Sequence, residues 1–157
     1  MEDVRKISIP CSIKSIPEAK KFVMGIAEEA NIPMEMGFKL ELSLDEAVMN
    51  AIDHGSALKD DQVVEIACLA NTNRFIVMIT DYGGKPFNPE YFEKLAAKKT
   101  WGEGGRGIQL ITSMMDEVMY LFNPGRSTTL MMAMHLDKPP EDLSNLGPPD
   151  LSLFGDL

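Results

Sequence analysis

Cysteine is scarce in this chain. Two cysteines in 157 residues, with no CxxC spacing, exclude a disulfide framework and a thiolate zinc site. Cys11 and Cys68 each read as a buried free thiol in a predicted strand, which fits a reducing compartment. No run of 18 apolar residues occurs, so no membrane-spanning helix is predicted. The opening MEDVRK is charged and has no apolar run behind it, so no signal peptide is predicted either, and a cytoplasmic location is expected. Positive charge is also short. Fifteen Lys and Arg stand against 24 Asp and Glu, a net charge of −9. That balance argues against direct nucleic-acid binding and against docking on an anionic membrane. No internal repeat is visible. The rest is the composition of one soluble domain long enough for a real core, 45% hydrophobic and 25% charged.

The stretch around which the chain is organised is ELSLDEAVMNAIDHG, Glu41 to Gly55. Leu40, Leu44, Ala47, Val48 and Ala51 recur at three- and four-residue steps, an amphipathic helix. Glu46 and Asn50 lie four apart and stack on one side of it, the side that also carries Asp53. Taken alone, this pair reads as a solvated helix face. Its chemistry allows more. Glu46 can take a proton from an attacking hydroxyl. Asn50 can offer a neutral oxygen to Mg²⁺, an ion that uses one or two protein ligands and fills the rest with water and phosphate oxygens.

Around that helix the pattern predicts a strand from Val4 to Cys11. Ser15-Ile16-Pro17-Glu18 reads as a capping box opening a helix to about Ala30, with Phe22, Val23, Ile26 and Ala27 inward. A break at Asn31 to Pro33 precedes the organising helix, Met34 to about Asp53. Val63 to Ala70 and Arg74 to Thr80 pair as a hairpin across Asn71-Thr72-Asn73. Asp81 to Pro89 reads as loop, Tyr91 to Lys99 as a short helix, and Trp101 to Gly107 as a glycine-rich segment. Ile108 to Met115 returns to helical spacing. Val118 to Phe122 and Ser127 to Leu136 are strands joined at Asn123-Pro124-Gly125. The order β-α-α-β-β-loop-α-β-β predicts an α+β two-layer sandwich, a mixed, mainly antiparallel sheet with helices on one face. Residues 1–137 form this domain. Residues 138–157 hold four prolines and no period, a flexible tail.

Three further features carry chemistry. Asp81 leaves an apolar strand and is followed by Gly83, so it can accept a hydrogen bond from an exocyclic amino group while the glycine lets a base lie close. It reads equally as a turn. Gly102, Gly104, Gly105 and Gly107 precede a helix and can cradle phosphate, or serve as a mobile loop. Arg106 within them can pair with phosphate or a partner carboxylate, or be solvated. His54 reads as a capping or core-edge histidine and His135 as structural.

Taken in order, E-x-x-x-N, strand-ending D-x-G, G-G-R-G opening a helix and a threonine in the last strand resemble the Bergerat (GHKL) ATP-binding fold of gyrase, MutL and the histidine kinases. Within it, the chain is most similar to the small stand-alone serine kinases that act as anti-sigma factors in bacterial partner switching. ELSLDEAVMNAIDHG resembles their N-box, DYGGKPFNP the G1 box, and GGRGIQLITSMMDEVMY the G2 box with its adjoining helix and strand. The resemblance implies roles. Glu46 activates the attacking hydroxyl, and Asn50 ligates Mg²⁺. Asp81 reads adenine beside Gly83, and residues 88–103 form the lid over ATP. Gly105 and Gly107, with Arg106 between them, face the phosphates, and Thr128 lies near adenine. It also implies partners: an anti-anti-sigma antagonist as substrate and a sigma factor or equivalent as target, with a homodimer left open. Lys85 stands where a third G1 glycine often sits, and Ser127 replaces a glycine before the threonine.

Overall fold

The computed structural model describes residues 3–55, 62–83, 110–123 and 125–136, with backbone alone at His54, Gly55 and Phe122. In chain order these are β1 (Arg5–Pro10), a 3-10 turn (Ile13–Ser15), α1 (Ile16–Glu29), α2 (Met34–Gly55), β2 (Val63–Ala70) and β3 (Arg74–Asp81). A helical stretch at 110–114 comes next, then β4 (Glu117–Asn123) and β5 (Ser127–His135). The short helix expected at Tyr91 to Lys99, the glycine-rich segment and the tail lie outside the described residues.

The five strands form one sheet in the order β1-β2-β3-β5-β4, and all four pairings are antiparallel. The sheet is thus antiparallel throughout its described strands, with no parallel pair beside the antiparallel ones. The connection explains it. Two helices, not one, separate β1 from β2, so the chain returns running the opposite way. β1 is an edge strand, and it tolerates Pro10 at its end, opposite Val63.

Turn chemistry sets the local geometry. The Asn71 side-chain oxygen accepts the N–H groups of Asn73 at 2.8 Å and Arg74 at 2.7 Å, which closes the β2–β3 hairpin. Gly125 takes φ 74 in the β4–β5 turn, a conformation that costs glycine little. At the end of α1, Asn31 takes φ 55, its N–H bonds Glu28 O, and the Ile32 N–H bonds Ala27 O, the paired bonds of a Schellman ending.

The capping box is not formed. Ser15 is already in helical conformation, φ −85 and ψ −11, and its hydroxyl makes no capping bond. The 3-10 turn runs straight into α1, so Ser15 lacks the extended backbone that would aim its hydroxyl at the Glu18 N–H. Ser12 caps the 3-10 turn instead, accepting from Lys14 N–H at 3.3 Å. Phe22 is only partly buried, and Ala19 is fully buried on α1 together with Val23.

α1 and α2 lie on one face of the sheet. Val23 and Ile26 of α1 and Leu40, Leu44 and Val48 of α2 pack onto Ile66, Phe75, Val77, Ile79, Leu130 and Met132. Burying a side chain of this size is worth about 1.5–3 kcal/mol, so this layer fixes α2 against β3. Lys20 of α1 reaches Glu41 at 3.1 Å and Asp45 at 3.3 Å on α2, tying the helices at the surface.

Candidate functional site

Side chains alternate along β3, so Phe75, Val77 and Ile79 on the helix face put Asp81 on that face too. Asp81 is the last residue of the strand rather than the first of the loop. It pairs with Val64 on one side and Thr128 on the other. Thr128 shares the helix face with Leu130 and Met132. Asp81 and Thr128 therefore stand side by side at the end of the sheet, 6% and 8% exposed. A carboxylate that dry must be hydrogen-bonded. The N–H of Gly83 donates to its Oδ1 at 3.3 Å, and Gly83 is itself buried. That bond closes a local turn of the kind the Asp-Tyr-Gly-Gly sequence suggests.

The C-terminal end of α2 closes on the same spot. The Cys11 thiol donates to the Ile52 carbonyl at 3.2 Å. Burial, then the nearby Asp81 and Asp53 carboxylates, push that thiol above its usual range, which favours the protonated form. Cys11 lies just after β1 rather than in it. Nothing in the spacing of the sequence signals this contact, because only the β1–β2–β3 register brings residue 11 to residue 81.

Glu46 and Asn50 lie on α2 beside its buried stripe of Leu44, Ala47, Val48 and Ala51, and both are half-buried. The carboxylates of Glu41 and Asp45 are engaged by Lys20, whereas among the described residues no cation pairs with Glu46. An accessible carboxylate one helical turn from an accessible carboxamide is the arrangement a base and a metal ligand require. Among the described residues no group of three or more His, Cys, Asp or Glu could hold a metal by itself. A divalent ion here would have to draw on phosphate and water oxygens, the mode that suits Mg²⁺ at a single protein oxygen.

Asp81, Gly83 and Thr128 are thus brought together, and Glu46 and Asn50 share the helix that packs on β3. Gly105, Arg106, Gly107 and residues 88–103 lie outside the described residues, as does the side chain of His54. A cavity of about 260 Å³, lined by Lys6, Glu65, Thr80, Tyr82 and Thr129 among others, opens on the opposite sheet face and has no part in this constellation.

A model of the histidine kinase-like ATPase domain matches residues 9–134, which include every residue of the constellation. The chain belongs to the histidine kinase-like ATPase family. The chain is also similar, at low identity, to proteins named as serine-protein kinases. The serine-protein kinase RsbW of Listeria monocytogenes serotype 4a (strain HCC23) is 24% identical over 137 residues, 83% of this chain and 87% of that protein. The serine-protein kinase RsbW of Bacillus pumilus (strain SAFR-032) is 26% identical over 144 residues, 87% of this chain and 88% of that protein. This histidine kinase-like ATPase domain resembles them along nearly their full length. The match runs from the end of β1 to near the end of β5 and so covers the helix layer and most of the sheet.

Proposed function

We propose that this protein is an ATP-dependent serine/threonine protein kinase of a cytoplasmic bacterial partner-switching system. Its substrate is an antagonist of anti-anti-sigma type, and its target is a sigma factor or an equivalent regulator. The observation that carries the reading is the buried Asp81 beside Thr128 at the end of β3, under the helix that presents Glu46 one turn before Asn50. The similarity to proteins named serine-protein kinase supports a serine as acceptor.

The residues divide the work. Asp81 accepts a hydrogen bond from the adenine amino group, and Gly83 lets the ring lie against the backbone. Thr128 supplies a hydroxyl beside them. Asn50 would offer its carbonyl oxygen to Mg²⁺, and Gly105, Arg106 and Gly107 would donate to phosphate oxygens. When bound, Mg²⁺ and ATP supply the transferable phosphoryl group and the charge neutralisation that this chemistry mostly needs. Glu46 orients the acceptor hydroxyl and takes its proton at a carboxylate oxygen as the hydroxyl oxygen bonds the γ-phosphorus and ADP departs.

Glu46→Gln tests this. The amide keeps size and shape, so ATP and partner binding should persist while phosphoryl transfer to the antagonist falls roughly 10²–10⁴-fold. Transfer that survives undiminished would remove Glu46 as the base. A parent protein that switches partners with nucleotide yet transfers nothing would make it a nucleotide-dependent binding module.

A further inference from the structure

The second face of the sheet is also buried, although no described helix lies on it. Leu69 of β2, Ile76 and Met78 of β3, and Met131 and Ala133 of β5 form their own cluster there, each exposed by no more than the 2% of Ile76 and Met78. Strand alternation points all five away from α1 and α2. Neighbours within a sheet flank a side chain but do not roof it, so a leucine, an isoleucine and two methionines this dry need atoms above them. Beside them, Arg74 Nε lies 2.9 Å and His135 Nε2 3.1 Å from the same Glu117 oxygen, with side chains 12%, 9% and 22% exposed. Charged groups on an open face would be wetter than this.

We propose that the C-terminal tail, residues 137–157, lies across this face as a strap that seats Leu151, Leu153 and Phe154 on the Leu69–Ile76–Met78–Met131 patch. The exit point selects the tail. β5 ends at His135, and the Leu136 N–H bonds Asn73 O at 2.8 Å, so the chain leaves the sheet at the hairpin end, next to Ile76 and Ala133. The stretches 56–61 and 84–109 instead join the described residues at the Asp81 end of the sheet and, at Ile111, on the helix face. Length permits it. The tail can span up to about 70 Å when extended, against about 19 Å across five strands. Its chemistry fits as well. Proline has a fixed φ, so Pro139, Pro140, Pro148 and Pro149 lower the entropy cost of ordering the segment. The acidic residues between them leave the leucines and Phe154 as the groups that gain by leaving water. The strap lies on the face opposite Asp81 and Thr128, so it does not touch the nucleotide constellation.

Methionine oxidation reads this site by site, because the thioether reacts according to its exposure. The full chain and a chain ending at Leu136 would be treated with peroxide and each methionine followed by mass spectrometry. Met34, 92% exposed, is the fast standard, and Met132, fully buried on the helix face, the slow one. In the full chain, Met78 and Met131 should react as slowly as Met132. In the shortened chain they should approach Met34 while Met132 stays slow. If shortening unfolds the protein, Met132 reacts too. The full-length variants Leu153→Asp and Phe154→Asp then give the reading, a selective rise at Met78 and Met131. Slow Met78 and Met131 in a folded shortened chain would overturn the strap. So would protection that the full chain loses on dilution, which would mean that a second copy is the cover.

Discussion

On the helix face of β3 the row Phe75, Val77 and Ile79 runs under α1 and α2 and ends in the buried carboxylate of Asp81. On the other face the row Ile76 and Met78 runs on into Thr80 and Tyr82. Both rows turn polar at the same end of the sheet, but in different ways. Thr80 meets Thr129 at 2.7 Å, and the Tyr82 hydroxyl donates to Glu65 at 2.8 Å, so these groups answer one another with short side-chain bonds across the sheet. Asp81 faces Thr128 and receives the Gly83 N–H at a long 3.3 Å. The second face thus ends in two side-chain pairs, and the first ends in a buried carboxylate beside Thr128.

Mutations on the two faces should separate these roles. Phe75→Ala, in the helix-face core, should cost about 3–5 kcal/mol in denaturant unfolding. A loss under about 1 kcal/mol would mean that the helix layer is not the main core. Alkaline unfolding comes next. Burial pushes the Cys68 thiol on this face up to about 12 from an ordinary 9.0. The unfolded thiol releases its proton first, so the folded state holds more protons between pH 9 and 12, and stability falls as pH rises through that window. The loss should be on the order of a few kcal/mol. Cys68→Ala should flatten that fall while lowering stability at neutral pH. An unchanged slope would assign it to Tyr82 and Tyr120, which are also raised to about 12 by burial.

Asp81→Asn should weaken adenine nucleotide by about 1.5–3 kcal/mol, the worth of a hydrogen bond to a charged group. Its neighbour Thr80→Val, on the second face, should leave nucleotide affinity unchanged in the same calorimetric titration. Equal effects at 80 and 81 would erase the distinction between the faces. The smallest effect expected is a gain. Ser43 is fully buried on α2, and its hydroxyl has no hydrogen-bond partner among the described residues. Ser43→Ala removes that cost and improves helix propensity, so thermal unfolding should show a stabilisation of about 1 kcal/mol.

Much of this architecture is written in local pattern. Val63 to Ala70 and Arg74 to Asp81 are β-branched runs around an asparagine turn, and α2 carries an apolar stripe that no strand could match. Such elements are legible because the residues that make them are neighbours in the chain. The misses are places where another part of the molecule decides. Ser15 lost its capping role to a 3-10 turn that the sequence does not announce. Asp81 reads as loop because glycine comes soon after it, yet β2 and β5 hold it from both sides and keep it in the ladder. Within the site, Glu46 with Asn50 and Asp81 with Gly83 are short-range patterns. The pairing of Asp81 with Thr128 and the approach of Cys11 depend on register, which no spacing within the chain encodes.

Pro10 at the end of β1 carries a further consequence for how copies of this protein meet. Among the described strands β1 is outermost, and its outer edge is short, begins with Arg5 and Lys6 and ends in a residue that has no N–H to donate. A strand arriving from another molecule would find charge at one end of that edge and a missing bond at the other, features that natural sheets use against edge-to-edge growth. Growth of the sheet strand by strand from this edge is disfavoured.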